Sequence, residues 1–270
     1  MEDHEVLAGY RALSGLYPKI LPMIIWRGWE YAAYRKYTLD EPVLDLGCGD
    51  GEFFRLVWPH VHNVIGVDYE EAVAKRARTS GVYREVLCCR AHEIPFKQSS
   101  FSAVFANCSL EHMDCLDDVL RAVSLSLRPG GKLLCSVVTE HFCTWMTLPL
   151  LVEVLGIQEL SNNVRGQYLS YHHLVNPLSV EDWKRRIEHA GLTIEDHVPI
   201  LPEVTGRLFL LFDQLWHVAG SHGEIGDVLY RSFSTKINLA AGLEQTLEGI
   251  LSMEQDRRVC CGAVFSARKS

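Results

Sequence analysis

Residues 43–51 read VLDLGCGDG, a short apolar run that passes directly into glycines at every second position, Gly47, Gly49 and Gly51. An apolar run of this kind predicts a buried β-strand. Glycines that follow a strand predict a sharp turn with no side chains between its backbone and a ligand. The next apolar segment stops at Pro59. The stretch therefore predicts strand, turn and helix, with a flat or extended ligand lying against the turn.

Two other interpretations of the turn stay open from these residues. A plain tight connection between strand and helix uses glycine for its geometry alone. A dinucleotide-binding fingerprint, G-x-G-x-x-G, needs its third glycine one residue later, where this chain has Glu52. The glycine spacing therefore disfavours a dinucleotide.

A second apolar run, residues 63–67, ends at Asp68. An acidic residue at this point of an α/β fold can accept hydrogen bonds from both hydroxyls of a ribose bound over the glycine turn. It can also cap the helix that follows, and the two roles are compatible. We therefore expect Asp68 to bind a nucleoside.

The rest of the chain repeats this alternation of apolar runs and helical segments. Helical spacing predicts two helices over residues 4–37. The further predicted strands lie at residues 85–89, 103–106, 132–139, 192–198 and 259–267. Strands that alternate with helices predict an α/β fold with three layers, a mostly parallel sheet covered by helices on both faces.

One domain is predicted over residues 1–270. Two segments, residues 140–178 and 199–255, do not fit the alternation and are predicted to be inserted helical caps that contact the substrate. Their apolar side chains are typical of pockets for apolar ligands, although such faces also pack on one another or dock a subunit. The other parts are an N-terminal helical layer at residues 1–38 and an α/β core at residues 39–139, 179–198 and 256–270.

Composition excludes several classes of protein. The 270 residues carry 34 acidic and 26 basic side chains, a formal net charge of -8, and they contain no block of lysine and arginine. A nucleic-acid partner is therefore not expected. The acidic first residues and the proline that breaks the nearby apolar run argue against a signal peptide or a membrane span.

The cysteines indicate a reducing compartment. Nine cysteines without a C-x-x-C pair argue against a disulfide framework or a zinc ribbon, so we expect reduced thiols and a cytoplasmic location. Cys88-Cys89 and Cys260-Cys261 are adjacent pairs whose side chains point to opposite faces of a strand. We expect them to be buried structural thiols and predict no metal site.

Six stretches together resemble the class I S-adenosylmethionine-dependent methyltransferases of the small-molecule type. The resemblance covers roughly residues 24–140 and the last two strands. It implies a Rossmann-like sheet of seven strands with one antiparallel edge strand, and a ligand at the carboxyl ends of the first and fourth strands. The stretches are VLDLGCGDG at 43–51, GVD at 66–68, IPF at 94–96, SSFSAV at 99–104, NCSLEH at 107–112 and LRPGG at 127–131.

The resemblance also implies a cofactor, S-adenosylmethionine, which leaves as S-adenosylhomocysteine, and positions for binding it. Its methionine part would lie against Gly47, Cys48 and Gly49, with Asp45 organising the turn. Its ribose would bind Asp68. The remaining implied positions are Tyr69, Ala91 and His92 for the adenine, and Asn107, through its backbone carbonyl, with Cys108 for the cofactor's ammonium group.

Arg27, upstream of the first strand, has two interpretations. Its guanidinium can pair with the cofactor's carboxylate, because the two planar groups match in geometry. It can equally form an ion pair with Glu30, three residues later on the same helix. Both interpretations stay open.

Methyl transfer from a sulfonium is an in-line displacement that mainly needs alignment and exclusion of water. A general base is needed only where the acceptor must lose a proton, and an ordinary imidazole suits that role near neutral pH. The candidates are His141, just after the fifth strand, and His172 in the first cap. Neither is required by the chemistry.

The sequence thus predicts an enzyme, a methyltransferase acting on a small or lipophilic organic acceptor, with oxygen favoured over nitrogen or carbon. Secondary metabolism would supply such acceptors. No N/D-P-P-Y motif follows the fourth strand, so nucleobase methylation is disfavoured. Two alternatives stay open: a catalytically silent partner protein of the same fold, and a nicotinamide-dependent oxidoreductase. The glycine turn favours neither.

Overall fold

The structure is a computed structural model that describes residues 1–220, 223–233 and 239–270. Its chain divides into two units. The sheet unit comprises residues 34–139, 174–198 and 263–270, and the helical unit comprises residues 1–33, 140–173 and 199–262.

The apolar runs of the sequence form the strands of one large sheet and one small one. The strands are β1 Val43–Leu46, β2 Val64–Asp68, β3 Glu85–Cys88, β4 Phe101–Asn107, β5 Leu127–Val138, β6 Leu192–Pro202, β7 Ala219–Gly220, β8 Gly223–Glu224 and β9 Cys260–Lys269. β7 and β8 pair with each other. The other seven follow the order β3-β2-β1-β4-β5-β9-β6, mostly parallel, with one antiparallel strand on the β9–β6 side. The predicted Rossmann-like α/β fold is confirmed.

The strand order creates a crevice at the carboxyl ends of two central strands. β1 is parallel to β2 on one side and to β4 on the other. The chain builds outward from β1 through β2 to β3, and then returns to the opposite side of β1 at β4. Open α/β sheets bind their ligands at such a reversal, because the two connections leave the sheet toward opposite faces.

Twelve α-helices lie between and beside these strands in the described chain. They are α1 Asp3–Leu16, α2 Leu21–Tyr34, α3 Glu52–Val57, α4 Glu71–Thr79, α5 Leu116–Ser126, α6 His141–Thr144, α7 Thr147–Val154, α8 Gln158–Tyr171, α9 Val180–His189, α10 Glu203–Trp216, α11 Ile225–Phe233 and α12 Leu239–Leu251. The two predicted N-terminal helices are confirmed. Within the described residues, no helix is both long and apolar enough to span a membrane.

The core of the sheet unit forms where α5 and α9 pack on the strands. Leu120 and Val123 on α5 and Trp183 on α9 are fully buried in one cluster with residues of β1, β4 and β5. The indole nitrogen of Trp183 donates to the carbonyl of Val138 at 3.0 Å, so its one polar atom is satisfied in the core. This anchoring fixes the end of β5.

Two predictions about the sheet need correction. The fifth strand begins at Leu127 rather than at 132, because Pro129 and its glycine neighbours form an irregular insertion while Leu127 already pairs with Phe101. Cys88 is exposed and Cys89 is half-buried, whereas Cys260 and Cys261 are buried as expected. Cys88 is exposed because β3 is an edge strand of the sheet.

The two segments predicted as caps, residues 140–178 and 199–255, lie mostly in the helical unit. They form α6–α8 and α10–α12. Residues 221–222 and 234–238 of the second segment lie outside the described residues. Their role as substrate caps stays a prediction.

Candidate cofactor site and active site

The turn after β1 has an open face at its centre. Gly47 and Gly49 have φ angles of +75° and +56°, a region that glycine adopts without strain. A Cβ atom at Gly47 would come within 2.4 Å of the Cβ of Ser109, whereas one at Gly49 would meet nothing within 4 Å. Gly47 thus allows close packing against the segment after β4, and Gly49 leaves a space that a ligand can fill.

Backbone hydrogen bonds hold this turn against the end of β2. The amides of Gly47 and Cys48 both donate to the carbonyl of Val67, at 2.8 and 3.0 Å. The amide of Gly49 donates to the Asp68 carboxylate at 3.2 Å. The loop that the sequence predicted to meet a ligand is therefore fixed to the residue predicted to bind a ribose.

Asp68 presents a constrained carboxylate at the carboxyl end of β2. Its second oxygen accepts from the amide of Glu70 at 3.1 Å. Partial burial raises its pKa, while these backbone hydrogen bonds act in the opposite direction. A carboxylate offers about four lone-pair sites, so two accepted bonds leave capacity for ribose hydroxyls. The next side chain, Tyr69, is 75% exposed.

Asp45 is buried beneath the turn and hydrogen-bonded to a residue that the sequence analysis missed. The hydroxyl of Tyr83 donates to the Asp45 carboxylate at 2.6 Å. Burial raises the pKa of Asp45 to about 7, the Tyr83 hydrogen bond opposes that rise, and the charge of Asp68 adds to it. Tyr83 belongs to no motif that indicates a function. The one signal that the sequence offered is its position just before β3.

The carboxyl end of β4 lies beside that of β1. The Asn107 side-chain oxygen accepts from the hydroxyls of Tyr34 at 2.9 Å and Ser136 at 3.1 Å. Cys108 follows with a φ of +44°, a strained value for a residue other than glycine, and its amide donates to Ser136. Such strained residues cluster at functional sites.

Ala91 and His92 lie in a short 3₁₀ helix, Ala91–Glu93, after β3. Ala91 packs on the sheet core, and a ring nitrogen of His92 lies 3.7 Å from the Glu93 carboxylate. The structure thus places both residues after a strand that neighbours β2. Neither residue shows a feature that distinguishes one as the adenine contact.

The remaining predicted residues belong to the helical unit. Arg27 forms an ion pair with Glu30 at 2.7 Å, and the fully buried Glu30 carboxylate also accepts from the indole of Trp26 at 3.0 Å. The pair that the spacing suggested is therefore present. This ion pair does not test the cofactor role of Arg27, which stays a prediction.

His172 contacts a buried carboxylate on α10. Its Nε2 lies 3.0 Å from Asp213, which also accepts from the Tyr168 hydroxyl at 2.6 Å. Burial alone would raise the pKa of Asp213, but hydrogen bonds from His172 and His217 outweigh it and hold that pKa well below its usual range. The sequence offered one signal for Asp213, an acidic residue within an apolar helical run.

His217 lies on the other side of the same carboxylate. Its two ring nitrogens lie 3.5 Å from Asp213 and 3.0 Å from Glu224. Burial lowers the pKa of His217, but the two carboxylates raise it more. Both ring nitrogens of His217 thus face carboxylates, whereas one ring nitrogen of His172, Nε2, faces Asp213.

His141 is the first residue of α6. Its ring stacks on Trp145, with the ring centres 4.4 Å apart, and lies 3.4 Å from the hydroxyl of Thr144. Its Nε2 lies 3.8 Å from the Glu140 carboxylate. The Glu140 side chain is 40% exposed, whereas Asp213 beside His172 is 6% exposed.

Comparison with known proteins shows the family of the chain. A family model described as a methyltransferase domain matches residues 44–135. The 27-O-demethylrifamycin SV methyltransferase of Amycolatopsis mediterranei (strain S699) is 34% identical over 212 residues, which are 73% of this chain and 73% of that protein. The chain belongs to the class I S-adenosylmethionine-dependent methyltransferases.

Two further comparisons have lower sequence identity to this methyltransferase. A ubiquinone biosynthesis O-methyltransferase of Xanthomonas axonopodis pv. citri (strain 306) is 27% identical over 172 residues, 62% of this chain and 69% of that protein. The solved structure of a methyltransferase from Thermotoga maritima has a TM-score of 0.58 at 17% identity and covers 97% of this chain and 98% of its own. That likeness concerns the fold alone.

The chain of this methyltransferase fits its cofactor, S-adenosylmethionine. The space above Gly49, the Asp68 carboxylate beside it and the exposed Tyr69 ring match a ligand with an amino-acid end, a ribose and an aromatic base. The relatives named above are methyltransferases, and they support neither an oxidoreductase nor a silent partner protein.

Proposed function

We propose that this methyltransferase methylates an oxygen atom of a small, lipophilic organic acceptor. The observation that carries this proposal is the 34% identity, over 73% of both chains, to a rifamycin methyltransferase. A second relative is an O-methyltransferase of ubiquinone biosynthesis. Both names refer to organic small molecules, so an acceptor from secondary metabolism is the first class to test.

When bound, S-adenosylmethionine supplies a methyl group on a positively charged sulfur. In our proposal Gly47, Cys48 and Gly49 bind its methionine part through the backbone, above a turn organised by Asp45. The Asp68 carboxylate accepts hydrogen bonds from the ribose. The other proposed cofactor contacts are Arg27, Tyr69, Ala91, His92, Asn107 and Cys108.

For an acceptor that must lose a proton, we propose His172 as the general base. Its contact with the buried Asp213 fixes the ring and leaves the other nitrogen, Nδ1, as the atom that accepts the proton. A carboxylate that holds an imidazole in this way also stabilises the cation formed on proton transfer. His141 is the second candidate.

The apolar side chains of the helical unit support a lipophilic acceptor. In the first of the two predicted caps, Leu151, Val154 and Leu155 are 52, 86 and 73% exposed. Exposed apolar side chains that lie close together are typical of surfaces that bind apolar ligands. We therefore retain the proposal that residues 140–178 and 199–255 select the acceptor.

We also propose that the partner is not nucleic acid and that the enzyme works in the cytoplasm. The net charge of -8 supports the first proposal, because binding to phosphate backbones depends on basic residues. All nine cysteines are free thiols, which supports the second.

The test is a methyl-transfer assay with S-adenosylmethionine labelled in its methyl group. We would incubate the enzyme with fractionated metabolite extracts and, separately, with RNA and DNA. Label in an organic extract, located on oxygen by mass spectrometry, is the expected result. Label on nitrogen or carbon would contradict the proposal that the methylated atom is oxygen. Label confined to nucleic acid would reject the small-molecule acceptor.

The matched control is Asp68→Ala. It should lose labelling in the same fractions while retaining the circular-dichroism spectrum of the wild type, because Asp68 is only partly buried. Equal labelling by the variant would show that the carboxylate does not bind the cofactor.

A further inference from the structure

Tyr83 contacts the glycine turn and the strand that leads into it. Its hydroxyl lies 2.6 Å from the Asp45 carboxylate, on β1, and 3.2 Å from the carbonyl of Cys48, within the turn. At the end of the turn, a Cβ on Gly51 would come within 2.7 Å of the Tyr83 ring. One side chain from the segment before β3 therefore contacts β1, the middle of the loop and the end of the loop.

The Tyr83 ring is itself held in place. A Cβ on Gly66, within β2, would come within 3.2 Å of it, so the ring occupies space that the glycine leaves. The Phe54 ring of α3 packs beside it with centres 6.1 Å apart. Because the ring is fixed between β2 and α3, its hydroxyl is a rigid donor.

The Tyr83 hydroxyl also supplies a hydrogen bond that the buried Asp45 carboxylate needs. Asp45 is only 3% exposed, and an ionised carboxylate in that position needs hydrogen-bond donors. Asp68 adds a second negative charge nearby, and the thiol of Cys48 is the other titratable group facing this pair. The one hydroxyl hydrogen is shared between Asp45, at 2.6 Å, and the carbonyl of Cys48, at 3.2 Å, so the short bond to Asp45 is the main loss when the hydroxyl is removed.

We propose that Tyr83 is the positioning residue of the cofactor turn. It acts through Asp45 and Cys48, holding the backbone of residues 47–51 in the shape that binds the methionine part of S-adenosylmethionine. This inference rests on the proposal that the turn holds the cofactor. Its consequence is that removing one oxygen atom weakens cofactor binding without touching the acceptor.

The experiment compares Tyr83→Phe with a matched control, Tyr37→Phe. The Tyr37 hydroxyl also donates to a carboxylate in the sheet unit, Asp196 at 2.8 Å. Binding of S-adenosylhomocysteine is measured by calorimetry at about pH 8.5, where an Asp45 carboxyl with its pKa raised to about 7 is ionised. We expect the dissociation constant to rise about tenfold in Tyr83→Phe, the change expected from losing one hydrogen bond to a charged group, and to stay within about twofold of wild type in Tyr37→Phe. Equal weakening in both variants would indicate a general loss of stability and overturn the proposal.

Asp68→Ala separates this inference from the assignment of the site. If Asp68→Ala weakens binding and Tyr83→Phe does not, the turn holds the cofactor and Tyr83 does not position it. If neither variant changes binding, the proposed site is wrong and the inference falls with it.

Asp45→Asn covers the case in which Tyr83→Phe does not fold. The amide keeps the shape of the carboxyl group and can still accept from Tyr83, but without charge, so we expect binding to weaken about threefold. Where all variants fold, the double variant Tyr83→Phe/Asp45→Asn should bind no more weakly than Tyr83→Phe alone, because both changes remove one interaction. The proposal that Tyr83 acts through Asp45 would be overturned by either of two results: the binding losses of the two single variants add fully in the double variant, or Asp45→Asn leaves binding unchanged.

Discussion

Asp213 is a buried carboxylate on an otherwise largely apolar helix. It lies on α10, and the described structure surrounds its carboxylate with Tyr168, His172 and His217. A buried carboxylate without such partners would be very costly, so this cluster stabilises the fold only as a set. Removing the charge of Asp213 should therefore also weaken the contacts that His172 and His217 make with this side chain.

We predict that Asp213→Asn lowers the free energy of unfolding by about 3 kcal/mol near pH 5.5. The lowered pKa of Asp213 stabilises the fold above pH about 4, and this contribution is lost as pH falls further. The raised pKa of His217 stabilises the fold below pH about 6.5, and this contribution is lost as pH rises through the folded-state pKa. The difference from wild type should thus be largest between these limits.

Urea unfolding of both proteins at pH 3.5, 5.5 and 8.5 measures this difference. Lys184→Gln, which removes an exposed ion pair with Glu181 on α9, is a control that should change stability by less than about 0.5 kcal/mol. A constant difference across the three pH values would show that the charge of Asp213 is not what stabilises the cluster.

His172 is the proposed general base for an acceptor that must lose a proton. We predict that His172→Gln lowers kcat by about 10²-fold or more with an acceptor that must lose a proton, the usual contribution of a general base. It should have little effect with an acceptor that is already ionised. The comparison variant is His141→Gln. If that variant loses activity instead, the base is His141, and if neither variant does, no histidine of this pair acts as base.

At the scale of elements, α9 fixes the sheet unit through one side chain. Trp183 is fully buried and donates to β5 at Val138. We predict that Trp183→Ala lowers the free energy of unfolding by about 3 to 5 kcal/mol, the usual cost of such a cavity. Leu125→Ala, at a side chain that is 44% exposed on α5, should cost less than about 1 kcal/mol. Denaturant titration of the two variants checks both values, and similar losses would show that α9 does not anchor the core.

The elements also show how far sequence reasoning reaches. The strand, turn and helix at residues 43–57 could be predicted because their signals, apolar runs and glycines, act between neighbours in the chain. The Tyr83–Asp45 and Tyr168–Asp213 pairs could not, because their partners are 38 and 45 residues apart and meet only when the fold has formed. The exposure of Cys88 depends likewise on β3 being an edge strand.

For the whole molecule, the glycine turn, Asp68 and the end of β4 should respond to the cofactor together. S-adenosylhomocysteine at about 100 times its dissociation constant adds roughly 2.7 kcal/mol to the stability of the state that binds it. Local openings of the binding segments become rarer by the same linkage. We therefore predict that amide hydrogen exchange slows in peptides covering residues 45–52, 66–70 and 106–109.

Mass spectrometry of exchanged peptides, with and without S-adenosylhomocysteine, measures this protection across the chain. NADH at the same concentration should protect none of the three segments, because Glu52 replaces the third glycine of a dinucleotide fingerprint. Asp68→Ala should lose the protection in all three segments at once, since the Gly49 amide and the ribose share that carboxylate. If only one of the three segments is protected, or if protection appears only outside them, the cofactor binds elsewhere. The open face at Gly49 would then have another use.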